Sequence, residues 1–338
     1  MKPIKSTRNM LNVAIPFLLG GGILYWMYRD FDFVAMRHTF VHDIKWGWLL
    51  FSLVFGVSAQ LFRALRWRQS LEPLGERPGL MDCVHGVFIS YTSSLIVPRS
   101  GEFTRCAVLS RYDGTSFSKA FGTVVTERIV DSVLLLAIAF AVMLSQLKVF
   151  LRFFDETGTD IAGFLHGFTA TGYVVTAVCL LCTVLFLWFA LKKVRLLSGL
   201  RQTLGNVREG ILSLGGVRNK PLLVFYSLMI WVSYFLHYAI TFLCFGFTEG
   251  LGFTVALVSF IVGSISVIVP TPNGAVPWHF AVKTILVLYG VAATDAVTFV
   301  LIVHTVQTAL IPLLGIYSFV SLGLRRDNRT QRPDNNIQ

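Results

Sequence analysis

Residues 83–131 read CVHGVFISYTSSLIVPRSGEFTRCAVLSRYDGTSFSKAFGTVVTERIVD. The opening stretch, 83–97, is apolar but only 15 residues long. Crossing a hydrocarbon core of about 30 Å takes roughly 20 apolar helical residues. Pro98 and Gly101 then break the helix, and the apolar piece after them, Phe103–Ser110, is again too short to span. The stretch therefore predicts a re-entrant helical hairpin with its tip at Val97-Pro98-Arg99-Ser100-Gly101. Non-helical backbone is tolerated at membrane depth only where protein buries it or it lines a water-filled cavity. The tip is for that reason a candidate site.

The surrounding chain supplies the membrane. Of 338 residues, 54% are hydrophobic and 14% charged, against about 25% charged in soluble domains. Runs 10–28, 46–62, 167–191, 221–247 and 251–269 hold almost no ionisable groups. The first run has a basic start (Lys2, Lys5, Arg8) but no small-residue cleavage site. It ends in Tyr25-Trp26-Met27-Tyr28, aromatic residues suited to the headgroup level, and reads as an uncleaved span. The net charge of +11 sits in short loops beside apolar spans. The positive-inside rule accounts for it without nucleic acid, and anionic lipid is the only polyanion it points to.

Charge counting gives a topology. The N-terminus, loop 63–82 (Arg63, Arg66, Arg68, Arg77), loop 192–220 and the tail (Arg325, Arg326, Arg329, Arg332) are basic, whereas 148–166 is slightly acidic. Both termini are then expected in the cytoplasm. Runs 120–147 and 167–191 cross out and back, so 83–112 must begin and end on the same side, as a hairpin does. A second break follows run 251–269, where Pro270, Pro272, Asn273 and Gly274 precede a short helix at 275–290. A long last helix, 296–323, follows. Ile96-Val97-Pro98 with Gly101 parallels Ile268-Val269-Pro270 with Gly274. Two such broken hairpins entering from opposite sides are the signature of an inverted-topology repeat, with a substrate site near the midplane.

Three groups carry candidate chemistry. Glu127, Arg128 and Asp131 fall inside the helix that starts near Ser118, where each ionisable group costs roughly 2.5–3.5 kcal/mol to insert. Glu127 and Asp131 share a face, and Arg128 reaches Asp131 at i+3; the bland alternative is snorkelling to the surface. Arg99, Glu102, Arg105 and Arg111 surround the first tip, where arginine forks suit phosphate. Asn273, His279 and Lys283 follow the second tip, with His304 and Gln307 on the last helix. Cys179 and Cys182 form a C-x-x-C with no further Cys or His nearby, so no metal or redox site is read. The sequence contains no G-x-x-x-x-G-K-[ST], G-x-S-x-G or H-E-x-x-H, and no catalytic residue or cofactor is assigned.

These motifs, in this order, resemble the flippase-like membrane region of the lysylphosphatidylglycerol synthase family. The matching stretches are RALRWRQSLEPLG at 63–75, PRSGEFTRCAVLSRYDGTSFSKAFGTVVTERIVD at 98–131 and VPTPNGAVPWHFAV at 269–282. The third departs from the family's P-G-G-x-G with a following Glu: Asn273 and Val276 replace glycines, and His279 stands where the Glu is expected. In the full synthase a separate cytoplasmic domain transfers the amino acid. No such domain is read here, so the resemblance implies translocation of a phospholipid or polyprenyl-linked lipid, not aminoacylation.

The expectation is an all-α, polytopic helical membrane protein with about six full spans and two broken-helix hairpins. It forms one integral membrane domain over 1–324, with candidate halves 46–147 and 221–323, basic linker 192–220 and a polar tail 325–338. A bacterial inner-membrane lipid transporter binds substrate through Arg99, Glu102, Arg105, Glu127, Arg128, Asp131, Asn273, His279 and Lys283, with Pro98, Gly101, Pro270, Pro272 and Gly274 at the tips. The rival readings are an intramembrane enzyme acting on a lipid-linked substrate and a non-transporting partner of an envelope-lipid synthase.

Overall fold

The computed structural model describes residues 40, 43–97, 99–147, 215–268, 271 and 274–330, without the side chains of 325–330. Runs 10–28 and 167–191, loop 148–166, most of the linker, Pro98, Pro270, Pro272, Asn273 and the end of the tail lie outside the described residues. The described elements are helical: α1 Trp46–Leu71, α2 Leu80–Ile96, α3 Gly101–Tyr112, α4 Phe117–Ser145, α5 Lys220–Ala239, α6 Gly252–Ser266, α7 Ala275–Leu288 and α8 Ala293–Thr330. A 3-10 turn, Glu72–Leu74, closes α1; another, Ile240–Cys244, extends α5, and a one-turn helix, Gly246–Glu249, follows it. No strand occurs among the described residues.

Length separates the helices by role. α1, α4, α5 and α8 are long and apolar enough to cross a membrane. α3, with 12 residues, reaches only about 18 Å at 1.5 Å per residue. The order long, short, short, long therefore occurs twice. α1 runs on past the expected end at 62 to Leu71, with Arg63 and Arg66 buried. These two arginines, expected in a basic loop, belong to the span. α5 begins where Asn219 Oδ1 accepts from the Leu222 amide at 3.1 Å, with Pro221 in the first turn. There a missing N–H costs nothing.

The first hairpin forms as expected, and side chains satisfy backbone groups between its two helices. Ser100 Oγ donates to the Ser93 carbonyl at 2.9 Å, and the Gly101 amide donates to Ser94 Oγ at 3.1 Å. Gly101 lets the two short helices touch, because a Cβ there would strike the Ser90 carbonyl. Gly315 does the same for α8 against Thr92, whose hydroxyl donates to the Ile311 carbonyl at 3.0 Å. Small residues at such crossings are how helices associate where lipid removes the hydrophobic drive.

Contacts at the two ends of the bundle fix the hairpins' directions. α1 and α5 are antiparallel: the Lys45 amide donates to the Cys244 carbonyl at 2.9 Å at one end, and Gln69 Nε2 donates to the Asn219 carbonyl at 2.7 Å at the other. The open end of α2–α3 lies at the Gln69 end, with the Gly79 amide on Asp113 Oδ1 (3.1 Å) and Lys119 Nζ on the Leu74 carbonyl (2.9 Å). The open end of α6–α7 lies at the Lys45 end, where Lys45 pairs with Glu249 at 2.6 Å. Between them the tips meet: Arg99 Nη2 donates to the Ile268 carbonyl at 3.0 Å. The hairpins thus enter from opposite ends. α1 packs on α5, α2 on α8 and α6 on α4, the exchange of partners that an inverted repeat requires.

Two of the larger apolar clusters among the described residues flank the hairpins. Ala64, Trp67, Val87, Cys106, Leu109 and Val124 join α1 to α4. Leu49, Phe242, Phe245, Val282, Phe299 and Val300 join the Lys45 end of the α1–α5 pair to α7 and α8. Leu50, Val54, Val133, Leu136, Phe225, Ile316 and Phe319 remain exposed, an outward apolar surface that a bilayer covers.

Candidate functional site

Between the two cores lies a buried ion network built by α1, α3 and α4. Arg63 Nη1 meets Asp131 Oδ2 at 2.9 Å, and Arg66 Nη1 meets Asp131 Oδ1 at 2.6 Å. Arg66 Nε lies 3.4 Å from Glu127 Oε1, and Arg105 Nη2 lies 2.9 Å from Glu127 Oε2. All five side chains are 9% exposed or less. Helical spacing explains the fit. Arg63 and Arg66 are three apart on α1, and Glu127 and Asp131 four apart on α4, so each pair shares a face.

Aromatic groups hold the arginines in place. The Arg105 guanidinium lies over the Trp67 ring at 4.7 Å, a cation–π geometry, and Trp67 Nε1 donates to Thr123 Oγ1 at 3.0 Å. Arg63 lies 5.9 Å over the Tyr234 ring. Tyr234 shares a 2.7 Å hydroxyl contact with Tyr91 and accepts from Gln60 Nε2 at 3.3 Å. Among the described residues three guanidinium groups here face two carboxylates, one positive charge beyond balance. Arg63 Nε and Arg66 Nη2 are buried without a hydrogen-bond partner.

A cavity of about 450 Å³ opens beside this network. Gln60, Arg63, Tyr91, Arg128, Asp131 and Tyr234 line it, together with His237, His304 and Gln307. Its polar groups are anchored: Gln307 Nε2 donates to the His237 carbonyl at 2.7 Å, and His237 Nδ1 meets the Ser52 carbonyl at 2.8 Å.

The expected site residues divide into groups. Arg105, Glu127 and Asp131 come together in the network. Arg128 does not pair with Asp131; it pairs with Glu102 at 2.9 Å, with its side chain 52% exposed. Both Asp131 oxygens are taken by Arg63 and Arg66 of α1, and Arg128 turns to Glu102 on α3. The snorkelling alternative fails for Glu127 and Asp131, which are buried. Arg99 is exposed at the tip, with φ 64°, and is committed to Ile268. Gly101 opens α3, and Gly274, with φ 65°, precedes α7. His279 is buried on α7, its ring edge-on to His304 at 4.7 Å, and Lys283 is one turn on. Neither belongs to the ion pairs of the network, which run among α1, α3 and α4. Pro98, Pro270, Pro272 and Asn273 lie outside the described residues. The sequence reading missed Arg63, Arg66, Trp67, Tyr91 and Tyr234. The R-x-x-R spacing at 63–66 against E-x-x-x-D at 127–131 was the available signal. Among the described residues no three His, Cys, Asp or Glu side chains are placed to hold a metal.

Opposed broken-helix hairpins around an arginine-rich buried network define an integral membrane protein of helical type. The chain belongs to the Lysylphosphatidylglycerol synthase TM region family, which residues 13–315 match. No curated protein and no solved structure matches it.

Proposed function

We propose that the chain is a flippase-like lipid transporter that moves a phosphate-bearing lipid between leaflets, with its headgroup in the central cavity. The observation that carries the reading is the uncompensated charge. A buried network with one guanidinium in excess, and a cavity wall formed by Arg63 and Arg128, favour a monoanionic group. Arginine forks match phosphate oxygens. The meeting of two hairpin tips supports transport over simple binding, because substrate sites between broken helices lie near mid-depth in inverted repeats. Arg105, saturated by Glu127 and Trp67, acts by holding Glu127, and Arg63 with Arg128 contacts the lipid. On this reading the end carrying Gly79 and Asp113 faces the cytoplasm of a bacterial inner membrane, and the chain performs no covalent chemistry.

Native mass spectrometry of the purified protein tests the headgroup site. The wild type should retain one class of phosphate-bearing lipid, and Arg63→Gln, checked for folding by thermal unfolding, should lose it. Bulk lipids held equally by both would sink the reading. A bound lipid whose mass changes on incubation would favour the intramembrane enzyme instead.

A further inference from the structure

A second cavity, about 520 Å³, runs along the outer face between α3 and α4. Its wall is apolar: Phe103, Phe121, Ile129, Val133 and Leu136. The Phe103 and Phe121 rings stack at 5.1 Å, and Ile129, Val133 and Leu136 are 48%, 61% and 64% exposed. Arg99, Glu102 and Arg128 border the same trough, and Arg128 and Ser132 also line the central cavity. An apolar trough on a membrane-spanning helix therefore adjoins a charged cluster that borders the central cavity with its Arg63, Asp131 and Tyr234 wall. That sequence of environments matches a lipid: tail, phosphate, headgroup.

We propose that this trough is a binding site for an acyl chain of the transported lipid, which enters sideways between α3 and α4, with the Glu102–Arg128 pair as the partition its phosphate displaces. The inference rests on the headgroup site of the preceding section. Three observations support it. The trough and the chamber share two wall residues. The positive groups at the partition, Arg99 and Arg128, complement a phosphate. The partition is also the accessible ion pair of the region: its side chains are 52% and 24% exposed, whereas those of the network are 9% or less. An incoming phosphate can replace Glu102 on Arg128 without opening the buried pairs.

The test uses the full chain in nanodiscs of phosphatidylglycerol carrying a diazirine midway along one acyl chain, beside phosphatidylcholine with the same chain. After photolysis, adducts on Phe103, Phe121, Ile129, Val133 and Leu136 should exceed severalfold those on the exposed apolar Val224, Phe225, Ile316 and Val320. The excess should be larger with the anionic lipid. Even labelling of all these positions would overturn the proposal. Val133→Trp fills the trough at an exposed position. It should reduce retained phosphatidylglycerol severalfold in native mass spectrometry without lowering the unfolding temperature. Lipid lost from Arg63→Gln but kept by Val133→Trp sinks the trough and leaves the headgroup site standing. Lipid kept by both sinks the two together.

Discussion

Glu127 and Asp131 share one face of α4, and what they meet there decides which substitutions the protein tolerates. Each accepts from two buried guanidinium groups. Asp131→Asn leaves Arg63 and Arg66 without their common counter-charge, and breaking a buried pair from one side costs about 3–5 kcal/mol. Arg128→Gln removes an exposed pair, worth at most about 1 kcal/mol. Thermal unfolding in detergent should show a large loss for the first and little change for the second; the reverse order would contradict the network. The sequence made the acids legible, because ionisable groups inside an apolar run demand partners. It did not make the partners legible. Arg63 and Arg66 close the apolar run 46–62, so charge counting assigned them to a loop. Only packing against α4 shows that α1 continues through them.

At the scale of elements, the first hairpin was the most legible feature, since Pro98 and Gly101 stand in plain sight between two runs too short to span. Why Gly101 must be glycine was not legible, because the Ser90 carbonyl that crowds it lies on the partner helix. The obstacle is backbone, which cannot swing aside as a side-chain end can. Gly101→Val should therefore disrupt α2–α3 packing by at least the roughly 1–3 kcal/mol of ordinary overpacking. It should lower both the unfolding temperature and the yield of folded protein. Wild-type stability in Gly101→Val would mean that the short helices sit further apart than described. Arg99, at φ 64°, holds a backbone conformation uncommon outside glycine. Sequence offers no sign of that, nor of the Arg99 side chain's contact with the Ile268 carbonyl.

For the whole molecule, charge parity required only that 83–112 return to its own side and left open whether the helices around the second break cross or turn back; the likeness of the two tips suggested opposed hairpins, and the contacts at Gly79–Asp113 and Lys45–Glu249 agree with that. Single cysteines at Asp113 and Glu249, in a chain with its five native cysteines replaced by serine, test this in sealed vesicles. A membrane-impermeant maleimide should reach the two positions from opposite faces. Labelling from the same face would dismantle the inverted arrangement. A mid-depth cavity was expected from the two hairpins, but its lining was beyond sequence reading, because α1, α2, α4, α5, α6, α7 and α8 all contribute to its wall.

Leaflet exchange is the most direct test of the central claim. Sealed vesicles containing the protein and a fluorescent phosphatidylglycerol, labelled on the acyl chain near the headgroup, are treated with an impermeant quencher. Wild-type protein should expose inner-leaflet lipid faster than protein-free vesicles, and faster than with the matching phosphatidylcholine. Arg63→Gln, folded and inserted, should return the rate to that of protein-free vesicles. Exchange that is absent from the wild type, or unchanged in Arg63→Gln, would contradict an arginine-lined path for a phosphate-bearing lipid.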